Sequence, residues 1–350
     1  MDEALSSETL SLISNIAGHI FDLQFIFAII GFLITIPHLI ITTRNSMRTS
    51  STNSLIIGIA LCDLIVLSAI ISDRIQFFVN PADSCHNQST YFKTIFRLIT
   101  DISMETLAQT SQWIGLSLAL IRVLVIKLMT KFSDKTRYLS ETITGYLIGG
   151  AVLLINSLPT WNYYRGFQIM VSGNWKPGED CLNFPENHTE PAFYEKRSGP
   201  SSLMDVSSYQ RIRGISQLLV SVIYPILAII LLLEIRKAAR KVVNLSQHRS
   251  MERTRTSRMI LLLTLSFVIS STPPGITYFF QQSVPSNSIL ELIIGYGSVL
   301  WSVLFTINAS AHAIICLTMS SEYRKTVRKV LRIREKESAP EANLFTSRGD

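Results

Sequence analysis

The residues that could do chemistry are those that a lipid interior makes expensive. Asp63 lies in Gly58-Ile59-Ala60-Leu61-Cys62-Asp63-Leu64, amid an apolar run with no other charged residue between Arg48 and Asp73. A carboxylate at such a depth costs about 2.5–3.5 kcal/mol on insertion scales, so it must face other protein and find a partner there. Arg74 follows eleven residues later, which on a helix is the same face about 16 Å further along. A second apolar run carries Arg97, Asp101, Glu105, Ser111 and Arg122. Seven helical residues return to nearly one direction, with a drift of about 20°. Arg97, Met104, Ser111 and Leu118 therefore form one stripe, with Arg122 close to it at the far end. Asp101 lies to the side and Glu105 further round, a weaker pocket residue. Arg74, Arg97 and Asp101 should line one mouth of a bundle, although charges at helix ends also snorkel to water with no other role. The last run carries Asn308 and His312 one turn apart; a buried His can titrate near neutral pH, but more often it simply hydrogen bonds a neighbour.

Helices long enough to cross a bilayer must position these groups. The 350-residue chain is 47% hydrophobic and 16% charged, whereas soluble domains carry about 25% charged residues. Its apolar residues group into seven runs near 21–42, 54–79, 94–127, 142–161, 210–236, 258–282 and 289–319. A helix needs about 20 apolar residues to span the hydrocarbon core, and barrel strands would be half that length and alternate. The expected fold is an all-α membrane protein, a bundle of seven transmembrane helices over residues 21–319. It follows an extracellular tail over residues 1–20 that has acids but no basic residue, unlike a cleaved signal peptide.

Charge sets the expected orientation. The net charge is +7, and most Lys and Arg residues fall in segments that are cytoplasmic if the N-terminus is outside, such as Lys127 to Arg137 and Arg236 to Arg258. The alternate segments hold Asp83, Glu179, Asp180 and Glu186. This is the positive-inside bias. It points to anionic lipid and a cytoplasmic partner, not to nucleic acid. A plasma-membrane location follows.

Cys85 and Cys181 fall in the first and second outer loops, facing an oxidising compartment, and are expected to pair. Closing a loop of that length is worth about 4–5 kcal/mol in the chain-entropy account. Each sits beside a glycosylation sequon, at Asn87 and Asn187. Cys62 and Cys316 lie inside spans as small buried hydrophobes. The second outer loop, near 162–209, reads as irregular or hairpin-like. Prolines at Pro37, Pro159, Pro225 and Pro273-Pro274 are expected to kink four of the spans. Beyond the last span, Tyr323, Val327, Val330 and Leu331 face one way and Arg324, Lys325, Arg328, Lys329 and Arg332 the other. This predicts an amphipathic membrane-surface helix over 320–335. Its alternative is a basic stop-transfer flank. Residues 336–350 read as a disordered cytoplasmic tail.

The motifs combine into a resemblance. Arg44-Asn45-Ser46-Met47-Arg48-Thr49-Ser50-Ser51-Thr52-Asn53, Ala60-Leu61-Cys62-Asp63, Trp113 with Ala119-Leu120-Ile121-Arg122, Tyr224-Pro225, Phe267 before Pro273, and Ser320-Ser321-Glu322-Tyr323-Arg324 together resemble a rhodopsin-like G-protein-coupled receptor. The likeness is greatest to the nematode serpentine receptor class W group and the FMRFamide-type peptide receptors. It runs from about Phe21 to Val330. The chain departs from the usual pattern at Thr35, Arg97, Ile121, Ser271 and the segment His312 to Cys316. The resemblance implies that Arg122 engages a heterotrimeric G protein. It also implies that Asp63, Ser111 and Asn308 match a sodium-binding constellation, oxygen donors suiting a hard cation. The ligand would sit among the outer halves of spans two, three, six and seven, with Arg74, Arg97, Asp101, Glu105, Gln281 and Glu291 as candidate contacts.

The expected function is therefore a receptor for an extracellular ligand, a neuropeptide in the leading reading and a small chemosensory molecule in the alternative. A photoreceptor would need a lysine in the last span, and there is none between Lys241 and Lys325. A transporter would need paired intramembrane acids or inverted repeats. No nucleophile–base pair, metal-spaced histidines or cofactor motif suggests an enzyme.

Overall fold

The computed structural model describes residues 7–45, 47–48, 50–79, 87, 89–128, 138–177, 181, 184–185, 188–197, 204–241, 247–284, 289–319 and 321–330. Seven long helices account for most of these: α1 (Ser7–Thr42), α2 (Ser51–Val79), α3 (Tyr91–Leu128), α4 (Thr142–Tyr164), α5 (Val206–Lys241), α6 (Gln247–Phe280) and α7 (Ile289–Met319). A ten-residue helix, α8 (Ser321–Val330), follows, and strands β1 (Phe167–Trp175) and β2 (Glu190–Arg197) lie between α4 and α5.

α1 begins well before the apolar run that starts at Phe21, and α6 extends back through the basic segment preceding Arg258. Among the described residues, five helices are long and apolar enough to cross a membrane, over Asn15–Thr42, Ser51–Gln76, Thr142–Tyr164, Val206–Glu234 and Gly297–Thr318. α3 falls outside this set for a compositional reason. Arg97, Asp101, Glu105 and the polar run Gln109 to Gln112 dilute its apolar residues, and most of these groups turn inward.

The helices close into a ring: α1 packs on α2 and α7, α5 on α3 and α6, and α6 on α7. α3 is central, touching α2, α4 and α5. On α4 the surface and buried compositions are inverted relative to a protein in water. The buried residues are Gly145, Asn156 and Thr160, while Leu147, Leu154, Ile155 and Trp161 lie on the outside. Small and polar residues at helix contacts with aliphatic side chains outside is the arrangement a lipid solvent selects. Two glycines allow backbones to approach closely. A Cβ on Gly145 would meet the Ser51 backbone of α2, and one on Gly214 of α5 would lie 2.6 Å from the Phe279 nitrogen of α6.

The hairpin at one end of the bundle is antiparallel, pairing Phe167 with Arg197 through to Trp175 with Glu190, with an irregularity between Val171 and Gly173. It is held at the entry to α3, where the Phe193 N–H donates to the carbonyl of Ser89 (2.7 Å), just before the helix, and Tyr91 in its first turn meets the Phe193 ring edge-on. At the opposite end, α8 buries Tyr323 in a cluster with Ile41, Met47 and Cys316. The Tyr323 hydroxyl lies 2.9 Å from His38 Nδ1 of α1. Lys325, Arg328 and Lys329 stay exposed, Val327 is half-buried, and Val330, expected on the apolar face, is exposed while Thr326 is buried. Leu331 and Arg332 lie outside the described residues.

Candidate functional site

Three linked regions run along the bundle axis, and helix rotation decides what each contains. The middle region centres on Asp63, 1% exposed. Ser111 of α3 donates to Asp63 Oδ1 at 2.8 Å, and His312 Nδ1 of α7 meets Oδ2 at 2.7 Å. One carboxylate thus ties three helices, the satisfaction that a buried acid needs. Asn308, a turn earlier on α7, is also buried, and its Oδ1 has no hydrogen-bond partner. The His312 ring packs 5.0 Å from Phe267 of α6.

Towards the hairpin end lies a cavity of about 160 Å³. Its charged wall is Glu105 of α3 paired with Arg213 of α5, at 2.7 Å between Oε1 and the guanidinium. The second Glu105 oxygen accepts from the Tyr209 hydroxyl at 2.6 Å. Tyr209 and Arg213 are one turn apart on α5, so they present to Glu105 together. The Tyr278 ring of α6 covers the guanidinium, 4.6 Å from centroid to charge. Gln112, Gln217 and Gln24 add amides, while Trp301, Phe305 and Met104 form the apolar side.

Nearer the hairpin is a wider basin of about 540 Å³ walled by Asp73, Arg74, Lys93, Arg97, Asp101 and Glu195, with Phe193 and Tyr194 from β2. Arg74 also bridges to Asp22 of α1 at 2.7 Å, beneath the Phe21 ring. Burial pushes the Glu195 carboxyl above its ordinary range, and nearby Arg97 draws it back down.

A family model described as "Serpentine type 7TM GPCR chemoreceptor Srw" matches residues 22–334. The chain belongs to this family. It is a multi-pass membrane protein of the G-protein-coupled class, whose members in general take a ligand and a G protein as partners. No curated protein matches the chain.

In this Srw receptor, Arg122 lies near the α8 end of α3, beside a small cavity of about 30 Å³ shared with Tyr224, Phe267, His38, His312 and Cys316. It is preceded by Ile121, which is buried between α2 and α3, and among the described residues no acid forms an ion pair with Arg122. Ser271, at the position where the family resemblance expects a tryptophan, instead exchanges a hydrogen bond with Ser221 of α5 at 2.9 Å.

The structure brings Arg74, Arg97 and Asp101 into one basin and places Glu105 in the smaller cavity beyond it. Gln281 sits in the short turn after α6 and Glu291 in the exposed first turn of α7; neither lines these two cavities. Pro159, Pro225 and Pro273 lie inside α4, α5 and α6. Asn87 is buried and its amide nitrogen donates to Glu190 (3.3 Å) and to the Pro191 carbonyl (3.2 Å); a glycan would take one of the two hydrogens and so cost one of these bonds. Cys181 is disulfide-bonded, whereas Cys62 and Cys316 are free and buried. Cys85 and Asn187 lie outside the described residues. Sequence reasoning missed Tyr209, Arg213, Gln112 and Gln217. The only signal was an Arg and a Tyr spaced i, i+4 at the start of a span, which reads equally well as a membrane-surface flank.

Proposed function

We propose that this Srw protein is a seven-span receptor with its hairpin end outside the cell, activated by a small chemosensory ligand that reaches the cavity beside Glu105 and Arg213. The observation that carries this reading is the cavity itself, contributed to by α1, α2, α3, α5, α6 and α7. A ligand there touches every helix whose rearrangement would open the α8 end. Binding favours the arrangement it fits best, and a G protein then captures the opened end through Arg122. Arg122 is suited to this role because no acid holds it in the described structure.

The wide basin favours a second reading, a neuropeptide, because its volume and its mixture of Arg, Lys, Asp and Glu could hold an extended charged chain. Cys85 would pair with Cys181 and hold the hairpin loop near the α2–α3 connection. The support is that Cys181 is bonded while the other two described cysteines are free.

A sodium ion is a further part of the proposal. Asp63, Ser111 and Asn308 supply oxygen donors from three helices, and the unpartnered Asn308 Oδ1 is the sort of ligand a hard cation takes. Bound there, the ion would supply positive charge against the Asp63 carboxylate.

The test is G-protein activation in cells expressing the chain, against small-molecule and peptide libraries, with Arg122→Ala as control. A ligand-dependent response that the control loses at equal surface expression supports the reading. A response that Arg122→Ala retains would sink the role given to that residue.

A further inference from the structure

A receptor needs a contact that holds α6 against α3 until a ligand arrives, and the two helices are joined at two depths. At mid-bundle the contact is direct and apolar. Phe267 of α6, 2% exposed, presses on Gly115 of α3, where an added Cβ would lie 2.6 Å from the ring. Leu116 and Ala119 of α3 and Val220 and Tyr224 of α5 complete this cluster. Such packing is non-directional.

Towards the hairpin end the contact is polar, and α5 carries it. Glu105, Gln109 and Trp113 stand on successive turns of α3, and Tyr209, Arg213 and Ser216 on successive turns of α5. The Glu105 carboxylate accepts from the Tyr209 hydroxyl at 2.6 Å and from the Arg213 guanidinium at 2.7 Å. Ser216 Oγ accepts from the Trp113 indole N–H at 2.7 Å and from the Gln109 amide. Arg213 then reaches α6, its guanidinium lying 4.6 Å from the centre of the Tyr278 ring. At this level α5 and α6 touch backbone to backbone, since a Cβ on Gly214 would fall 2.6 Å from the Phe279 nitrogen. The two helices thus form one unit here, and Glu105 is the charged joint between that unit and α3.

Of these directional contacts, Glu105–Arg213 is the one between opposite charges. The side chains are 22% and 11% exposed, so salt and water screen the pair weakly. A carboxylate parted from its partner in such a place stays buried and uncompensated. The cost of moving α5 and α6 away from α3 is therefore concentrated at this joint, which also lines the cavity assigned above to the ligand.

We infer that Glu105 and Arg213 couple that cavity to α6: their ion pair holds the α5–α6 unit against α3, and parting them releases α6 towards the arrangement that binds a G protein. Both are positioning residues that act through α6. The inference rests on the receptor reading for its signalling consequence, whereas the helix movement is measurable without a G protein.

The experiment uses the full-length receptor without ligand. In lipid nanodiscs, spin labels on Lys127→Cys of α3 and Leu262→Cys of α6, both exposed positions, report the spacing of these helices in their halves nearer α8. In cells, G-protein activation is read at equal surface expression. Arg213→Gln and Glu105→Gln should each shift the spacing to longer distances and raise ligand-free activation at least threefold. Glu105→Arg combined with Arg213→Glu should bring both readouts back towards wild type, a rescue that a merely space-filling role would not give. Melting temperatures show which variants fold. Tyr209→Phe, which removes one hydroxyl from Glu105 and keeps the ring, extends the test to a milder change and should raise activation about twofold, as expected for one weakened hydrogen bond. Unchanged spacing and activation in Tyr209→Phe and in the pair variants that fold overturns the inference. A charge reversal no closer to wild type than the single substitutions overturns it too, because charge would then not be what acts. A wild-type ligand response, with no variant shifting the spacing, overturns this inference while the receptor reading stands. Longer spacing with no G-protein activation in any variant supports the joint and counts against the receptor reading.

Discussion

His312 Nδ1 of α7 lies 2.7 Å from Asp63 Oδ2 of α2, with side chains 8% and 2% exposed. With Ser111 on the other carboxylate oxygen, the pair couples α2, α3 and α7 at mid-bundle. Removing one partner of a buried pair typically costs about 3–5 kcal/mol, because the survivor stays buried and uncompensated. His312→Leu should therefore lower the melting temperature of the purified receptor strongly. Asp63→Asn combined with His312→Leu should recover part of the loss, since groups in contact are not additive. Full additivity in the double-mutant cycle would mean that the contact contributes no coupling.

Asp63 was conspicuous in the sequence because an acid amid aliphatic residues has few reasons to be there, and its need for a partner followed from solvation alone. Its partners were less legible. Ser111 could be placed on an inward stripe of α3, yet the contact of His312 with α2 depends on how α7 rotates in the ring, and periodicity within one helix does not carry that. The same limit hid Arg213. Glu105 sits well round from the Arg97–Ser111 stripe, so it appears peripheral until α5 is seen to pack on that flank of α3 with Tyr209 and Arg213 facing it. The helices themselves were legible because apolar length is a one-dimensional property. The start of α1 at Ser7 was not, since polar residues continue a helix beyond the hydrocarbon without disturbing it.

A sodium ion at Asp63 would compete with His312 for the carboxylate while gaining Asn308 Oδ1, which has no partner of its own. Replacing choline chloride by sodium chloride at constant ionic strength should raise the melting temperature of the wild type. Asn308→Ala and Asp63→Asn should both abolish the difference. Equal melting temperatures in the two salts for the wild type would exclude a stabilising sodium site here.

The hairpin should respond to acid through Glu190. Hydrogen bonds from His188, then from Asn87, hold its carboxyl below the ordinary 4.5. A depressed folded value favours the ionised form, so this contribution is present above pH 4.5 and is lost as pH falls from there through the folded value. Glu195 has the opposite sign. Burial raises its folded value, so its contribution is present below 4.5 and fades as pH rises through that value. Protection of residues 167–177 and 188–197 against hydrogen exchange, corrected for the intrinsic amide rate at each pH, should fall below pH 4.5 in the wild type, and Glu190→Gln should flatten that fall. An acid response unchanged in Glu190→Gln would assign it to another group.

Two glycines on α4 separate close packing from helix propensity. A Cβ at Gly145 would lie 2.9 Å from the Ser51 Cα, and the backbone of α2 cannot turn aside as a flexible side chain would. At Gly150, one and a half turns on, nothing lies within 4 Å. Alanine is the better helix former by about 0.5–1 kcal/mol, while overpacking a tight contact costs about 1–3 kcal/mol. Gly145→Ala should therefore destabilise the receptor and Gly150→Ala should leave it unchanged or slightly stabilised. Because Ser51 Oγ donates to the Leu139 carbonyl and Ser54 Oγ to the Thr142 carbonyl, parting α2 from α4 at Gly145 should also loosen the segment leading into α4. Exchange protection around residues 138–142 should fall in Gly145→Ala and persist in Gly150→Ala. Equal effects of the two substitutions would mean that propensity, not the α2–α4 contact, governs this helix.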